Sequence, residues 1–136
     1  MMKTSNQIKT AALALSIAFT LACGYSSKPA PATAGNIPAI SQLSPNSITH
    51  GSTGFTMTIN GASFNSNAIV NWNGAAMSAT TYISGEQLMV NIPAAAIAAS
   101  GSVQVTITNP AVAGTGPYGG GGTTAETSMP AIFTIK

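Results

Sequence analysis

The stretch from Gly54 to Phe64, GFTMTINGASF, constrains this chain most. Phe55, Met57 and Ile59 alternate with Thr56, Thr58 and Asn60. A period of two gives one apolar face and one face that hydrogen-bonds to water, which describes a half-buried β-strand. Asn60-Gly61 is expected to stop that strand, because these two residue types best tolerate a left-handed backbone. Phe64 follows as a further apolar anchor. A ribbon with one apolar face needs a second apolar layer to cover it, so the stretch already implies a β-sandwich.

The same pattern recurs along the chain. Ile37–Leu43 reads as a short first strand, with Pro38 suited to its beginning or to an exposed edge. Ser44-Pro45-Asn46-Ser47 and His50–Gly54 read as turns. Ala68–Trp72 places Val70 and Trp72 on one face, and Asn73-Gly74 is a hairpin signal. Ala76–Ile83 is a weaker strand, turned back by Ser84-Gly85-Glu86. Leu88, Val90 and Ile92 point inward from the next strand, which Pro93 ends. Pro93–Ser100 is rich in alanine and is expected to form one or two helical turns crossing between the sheets. Val103, Val105 and Ile107 alternate through a strong strand ending at Asn109-Pro110. Phe133 and Ile135 point inward from a last strand, Ala131–Lys136. About seven short strands separated by turns predict an all-β, immunoglobulin-like sandwich.

At this point a family resemblance becomes specific. Pro38-Ala39-Ile40, Leu43-Ser44-Pro45 and the run Phe55-x-Met57-x-Ile59-Asn60-Gly61-x-x-Phe64 resemble the opening of IPT/TIG domains. Val70–Gly74, Leu88–Pro93, Val103–Pro110 and Phe133 are similar to that family's later strands. The resemblance covers residues 37–136 and implies an early-set immunoglobulin-like fold. The family occurs in plexins, in Rel-type transcription factors, and on bacterial surface proteins and sugar-processing enzymes. The basic DNA-contacting loops of its transcription-factor members have no counterpart here, and fold alone does not fix function.

Charge narrows the function classes. The chain has four lysines, no arginine, no aspartate and two glutamates, Glu86 and Glu126. Lys3 and Lys9 lie in the first ten residues, and beyond them Lys28 and Lys136 balance the glutamates. A near-neutral body lacks the clustered cations that nucleic acid requires. The one cysteine, Cys23, excludes an intrachain disulfide and a cysteine-based zinc site.

The N-terminus reads as an address. Two lysines precede Ala11–Ala22, an uncharged and mostly apolar run too short to span a bilayer, which takes roughly 20 residues. That is the pattern of a secretory signal. Thr20-Leu21-Ala22-Cys23 resembles the lipobox of bacterial lipoproteins, with Leu two rather than three places before the cysteine. The resemblance implies cleavage before Cys23 and a lipid on its thiol, hence a membrane partner. Gly24, in place of Asp, leans towards the outer membrane of a bacterial envelope. A chain not acylated at Cys23 would be secreted. The expected organisation is a signal peptide over 1–22 with a signal helix, a disordered tether over 23–36, and one domain over 37–136.

Candidate chemistry is sparse. Asn109–Pro130 reads as a loop of some 22 residues, with Gly119–Gly122 removing local order. Its Gly114–Gly119 spacing matches GxGxxG, but in a Pro/Gly coil that pattern has no helix to open. Tyr118 on this loop and Tyr82 are the candidate ligand contacts. Trp72 alternates inward with Val70, although exposed it would stack on a sugar ring. His50, Glu86 and Glu126 sit on turns or coil, a poor base for positioned acid–base chemistry. Without aspartate an oxygen-rich calcium cage lacks its usual ligands. No catalytic residue, metal or cofactor is expected. The leading expectation is a non-enzymatic, lipid-anchored module for protein binding, adhesion or envelope scaffolding. The alternative is a carbohydrate-binding module using Tyr25, Tyr82, Tyr118 or Trp72 as an aromatic platform.

Overall fold

The computed structural model describes residues 30–116 and 120–136. Two sheets pack face to face. The first has the order β1 (Ala39–Ser44), β3 (Phe55–Ala62), β7 (Gln87–Ile92), β6 (Thr80–Ser84). The second has the order β2 (Ser47–Ile48), β10 (Ala131–Ile135), β8 (Gly101–Asn109), β4 (Ile69–Trp72), β5 (Ala75–Ala76), and β9 (Glu126–Thr127) also pairs with β8. Seven of these strands have four or more residues, and β2, β5 and β9 have two each. The all-β, immunoglobulin-like sandwich predicted from the alternation is what the chain forms. The signal helix falls outside the described residues.

The alternating apolar residues close on one another. Met57, Ile59, Leu88 and Ile92 from the first sheet, and Val70, Val105, Ile107 and Phe133 from the second, are fully buried. Phe133 stacks on Phe55 across the sandwich, with ring centroids 5.6 Å apart, and lies 5.2 Å from Trp72, its neighbour in the second sheet. The alanine-rich segment forms a single 3-10 turn over Ala94–Ile97. It crosses between the sheets as expected and buries Ile97. Asn73 and Gly74 both take positive φ, 51° and 87°, the hairpin geometry their sequence signals.

Four local expectations are corrected. The first concerns Asn60-Gly61, which does not stop β3. The strand continues to Ala62, and the left-handed residue is Ser63 (φ 61°). Gly61 is needed for close approach instead: a Cβ there would lie 2.0 Å from the Ala39 carbonyl oxygen and 2.5 Å from the Phe64 ring. Secondly, the turn after β1 is a change of layer. β1 edges the first sheet, while β2 pairs in parallel with β10 in the second. Pro38 stands at the beginning of this edge strand, one of the two places expected for it, and is buried there.

The third correction is that Ala76–Ile83 is not one strand. β5 belongs to the second sheet and β6 to the first, and Thr80 fastens the crossing. Its hydroxyl accepts from the Val70 N–H at 3.3 Å and donates to the Met77 carbonyl at 3.1 Å. The fourth concerns the long loop, which carries order of its own. Val112 and Thr123 exchange both backbone hydrogen bonds, and Ser128 takes both backbone groups of Ile107, the N–H through its Oγ. The end of the segment read as a disordered tether joins them. Thr33 donates to the Gly122 carbonyl and accepts from the Thr124 N–H, each at 2.9 Å.

Asn109 ties these pieces together. It is 1 % exposed, and its amide is satisfied three times. Its Oδ1 accepts from the Asn65 N–H at 3.0 Å, and its Nδ2 donates to the carbonyls of Asn36 at 2.7 Å and Ser63 at 2.8 Å. One side chain thus joins the end of β8, the loop after β3 and the segment before β1.

Two outcomes follow for stability. Asn109→Ala strands one N–H and two carbonyls, and should lower the unfolding free energy by about 3 kcal/mol in urea denaturation. Gly61→Ala pushes a methyl into backbone that cannot yield, and should cost about 1–3 kcal/mol by the same measurement, as overpacking does. Unchanged midpoints would contradict this account of either position.

Candidate functional site

The titratable side chains are dispersed. His50 is exposed, and its ring Nδ1 lies 2.8 Å from the Lys136 carbonyl oxygen, which also accepts from the His50 backbone N–H. Glu86 lies in the turn between β6 and β7, where its backbone N–H meets the Ser84 hydroxyl and its carbonyl takes the Gly61 N–H. Glu126, in β9, accepts a hydrogen bond from the Thr124 hydroxyl at 2.8 Å. Among the described residues, no three His, Cys, Asp or Glu side chains gather as a metal site would need.

The aromatic candidates do not form a platform. Trp72 is 6 % exposed and packs on Phe133, so its ring face is not offered to solvent. Tyr82 is 40 % exposed on β6, an edge strand of the first sheet, beside the exposed Ile83. Tyr118, Tyr25 and the acylation candidate Cys23 lie outside the described residues. The structure brings none of the described candidates together.

What the structure does gather is apolar surface on one flank. Ile37, Met129 and Ile132 are 65, 84 and 55 % exposed. They border two adjoining grooves between β1 and β10. One, of about 340 Å³, is lined by Ile37, Ile40, Met129 and Pro130 among others. The other, of about 280 Å³, is lined by Ile40, Leu43, Ala131 and Ile132 with the polar Ser41, Gln42 and Asn46. No charged side chain lines either groove. The sequence held a signal for Ile132: the alternation that sends Phe133 and Ile135 inward sends it outward, an apolar residue on a wet face. Ile37 and Met129 lie outside the regular strands and gave none.

The broad faces of the sandwich are different. Asn71 Nδ2 donates to the hydroxyls of Thr106 and Thr108, and Thr108 meets Thr127 at 2.9 Å. On the other sheet Gln87 Nε2 donates to Asn60 Oδ1 at 2.9 Å. These polar side chains are already bonded to one another.

The model of the IPT/TIG domain family matches residues 38–124, more than half of the chain. The chain belongs to the IPT/TIG family. The match stops short of the 37–136 span expected from the resemblance, although β9 and β10 beyond it complete the second sheet. Among curated proteins and among solved structures, none matches the chain. Membership supports an immunoglobulin-like module of protein interaction, and domains of this family are in general non-catalytic. Among the described residues no helix is long and apolar enough to cross a membrane.

The flank is surface rather than core, so its removal should leave the fold intact. Met129→Ser with Ile132→Ser should keep the unfolding free energy within about 0.5 kcal/mol, as exposed substitutions do. The same variant should elute earlier from a hydrophobic-interaction column. A large loss of stability would mean that the flank is part of the core.

Proposed function

We propose that this IPT/TIG protein is a non-enzymatic binding module, held at a bacterial envelope membrane by lipid on Cys23, whose domain works by protein contact. The observation that carries the contact reading is the uncharged apolar flank formed by Ile37, Met129, Pro130 and Ile132 beside two grooves. Exposed apolar patches of this kind are typical of interaction sites. A near-neutral body adds no long-range attraction for nucleic acid or for anionic lipid.

The anchoring reading is supported by the sequence of residues 1–23, with its basic start, short apolar run and small residue before Cys23. Acyl chains on that cysteine would hold the domain to a membrane, since two lipid signals suffice where one is marginal. Gly24 favours the outer membrane over the inner. The dispersed His50, Glu86 and Glu126 support a role without catalysis.

Radiolabelled palmitate should enter the wild-type protein in a bacterial host, and Cys23→Ser should lose the label and leave the membrane fraction. For the domain, a photo-crosslinking amino acid at position 132 should capture a discrete protein, while one at position 58, on the opposite sheet, should not. Palmitate retained in Cys23→Ser would refute the anchor. Equal capture from both positions, or none from 132, would refute the contact surface.

A further inference from the structure

We propose that Asn73 is a site of self-modification, at which the Gly74 backbone nitrogen displaces ammonia from the Asn73 side chain and water then opens the ring to aspartate or isoaspartate. The chain carries the triplet Asn-Gly-Ala twice, at Asn60–Ala62 and at Asn73–Ala75. The fold gives the two copies opposite fates. The inference does not depend on the anchoring or contact readings above.

The chemistry needs an asparagine amide and, next in the chain, a backbone nitrogen that can reach it. The Gly74 nitrogen attacks Asn73 Cγ, the new C–N bond closes a five-membered imide, and the Cγ–Nδ2 bond breaks. Ammonia leaves with the proton that the Gly74 nitrogen gives up. Water then adds to one of the two ring carbonyls. Opening at Cγ restores the main chain and leaves aspartate. Opening at the Asn73 carbonyl carbon reroutes the main chain through the side chain as isoaspartate. Glycine as the following residue has no Cβ to shield the attacking nitrogen.

At Asn73 the structure leaves this path open. Asn73, Gly74, Ala75 and Ala76 are all exposed. A Cβ built at Gly74 would meet nothing within 4 Å. The tip is held by β5, which is two residues long, stands at the end of its sheet, and joins β4 through Asn71 with Ala76 and Trp72 with Ala75. The Asn73 N–H is tied to the Gln104 carbonyl at 2.8 Å, which fixes the start of the residue and leaves rotation about its Cα–C bond to the tip. Short, exposed tips of this kind open at little cost.

At Asn60 the path is closed. Asn60 lies within β3, an interior strand, and pairs with Gln42 on one side and Gln87 on the other. Its carbonyl accepts from the Ser41 hydroxyl at 3.1 Å, and its Oδ1 accepts from Gln87 Nε2 at 2.9 Å. The attacking nitrogen is itself engaged, since the Gly61 N–H donates to the Glu86 carbonyl at 2.9 Å. Gly61 is also pressed against the Ala39 carbonyl and the Phe64 ring. Bringing Gly61 N onto Asn60 Cγ would break the first sheet.

The product matters in a chain so poor in charge. Beyond the first ten residues Lys28 and Lys136 balance Glu86 and Glu126, so a carboxylate at position 73 leaves the body net negative.

The full chain, purified in detergent, is aged in mildly alkaline buffer made with water enriched in heavy oxygen. One arm is folded and the other is held in concentrated guanidinium chloride. Both are digested with pepsin in acid and sequenced by mass spectrometry. In the folded arm Asn73 should take up heavy oxygen, as a mixture of aspartate and isoaspartate, at least about tenfold faster than Asn60, because opening costs little at an exposed tip and most in a central ladder. In guanidinium the two sites should convert at similar rates, being the same triplet. Equal rates in the folded protein would overturn the proposal, as would a folded Asn73 that stays intact while the unfolded chain converts. So would aspartate without isoaspartate, or a difference between the sites that persists undiminished in guanidinium.

Discussion

The contact between Phe133 and its two aromatic neighbours holds the layers of this domain in register. Phe55 comes from the first sheet, Phe133 and Trp72 from the second, and the three rings run through the middle of the sandwich. Offset aromatic pairs add about 0.5–1.5 kcal/mol each beyond the area they bury. No disulfide can reinforce them, because the chain has a single cysteine. The fold is therefore secured by expulsion of water from two facing β-surfaces and by the fit of these rings. A slip of one residue in β3 or β10 would turn every buried side chain of that strand outward. The long β3–β7 and β8–β10 ladders, six and five residue pairs, make such a slip expensive.

That dependence on a facing surface explains what could be read from the sequence. Alternation is local, so Met57–Ile59, Leu88–Ile92, Val103–Ile107 and Phe133–Ile135 announce their strands and inner faces directly. The places where the chain changes layer do not alternate. Ser44–Ser47 reads as an ordinary turn, and Ala76–Ile83 as one weak strand, because what divides each is a pairing made elsewhere. Gly61 shows the same limit. Its neighbour Asn60 suggests a left-handed turn, but the constraint is the Ala39 carbonyl, 22 residues away in sequence and pressed against the space of a Cβ.

Function was harder to read for a related reason. Titratable residues are conspicuous in a chain with so few, yet His50, Glu86 and Glu126 end on separate pieces of backbone with separate partners. In the sequence Asn109 is legible only as a strand end, although it is the polar group on which the loops at that end converge. An amide serving three segments cannot be recognised until those segments are placed. Ile132 was accessible to sequence reasoning, since the strand period assigns it to the outside. Its neighbours on the flank were not, because Ile37 and Met129 come together only when the segment before β1 and the step between β9 and β10 are folded side by side.

The distribution of satisfied and unsatisfied groups bears on where a neutral protein of this kind can make contacts. A charge-poor surface has little long-range attraction to offer, so binding must come from desolvation of apolar area or from unpaired hydrogen-bonding groups. Both broad faces carry polar side chains that already bond one another, Asn71 with Thr106 and Thr108 on one sheet and Gln87 with Asn60 on the other. A partner docking there would exchange existing hydrogen bonds for new ones at little net gain. The margins of the sandwich differ, because the sheets there run out of partners. Between β1 and β10 the apolar side chains Ile37, Met129 and Ile132 are left uncovered. The same layering that consumes Trp72 and Phe133 in the interior thus leaves the capacity for recognition at this edge of the sandwich.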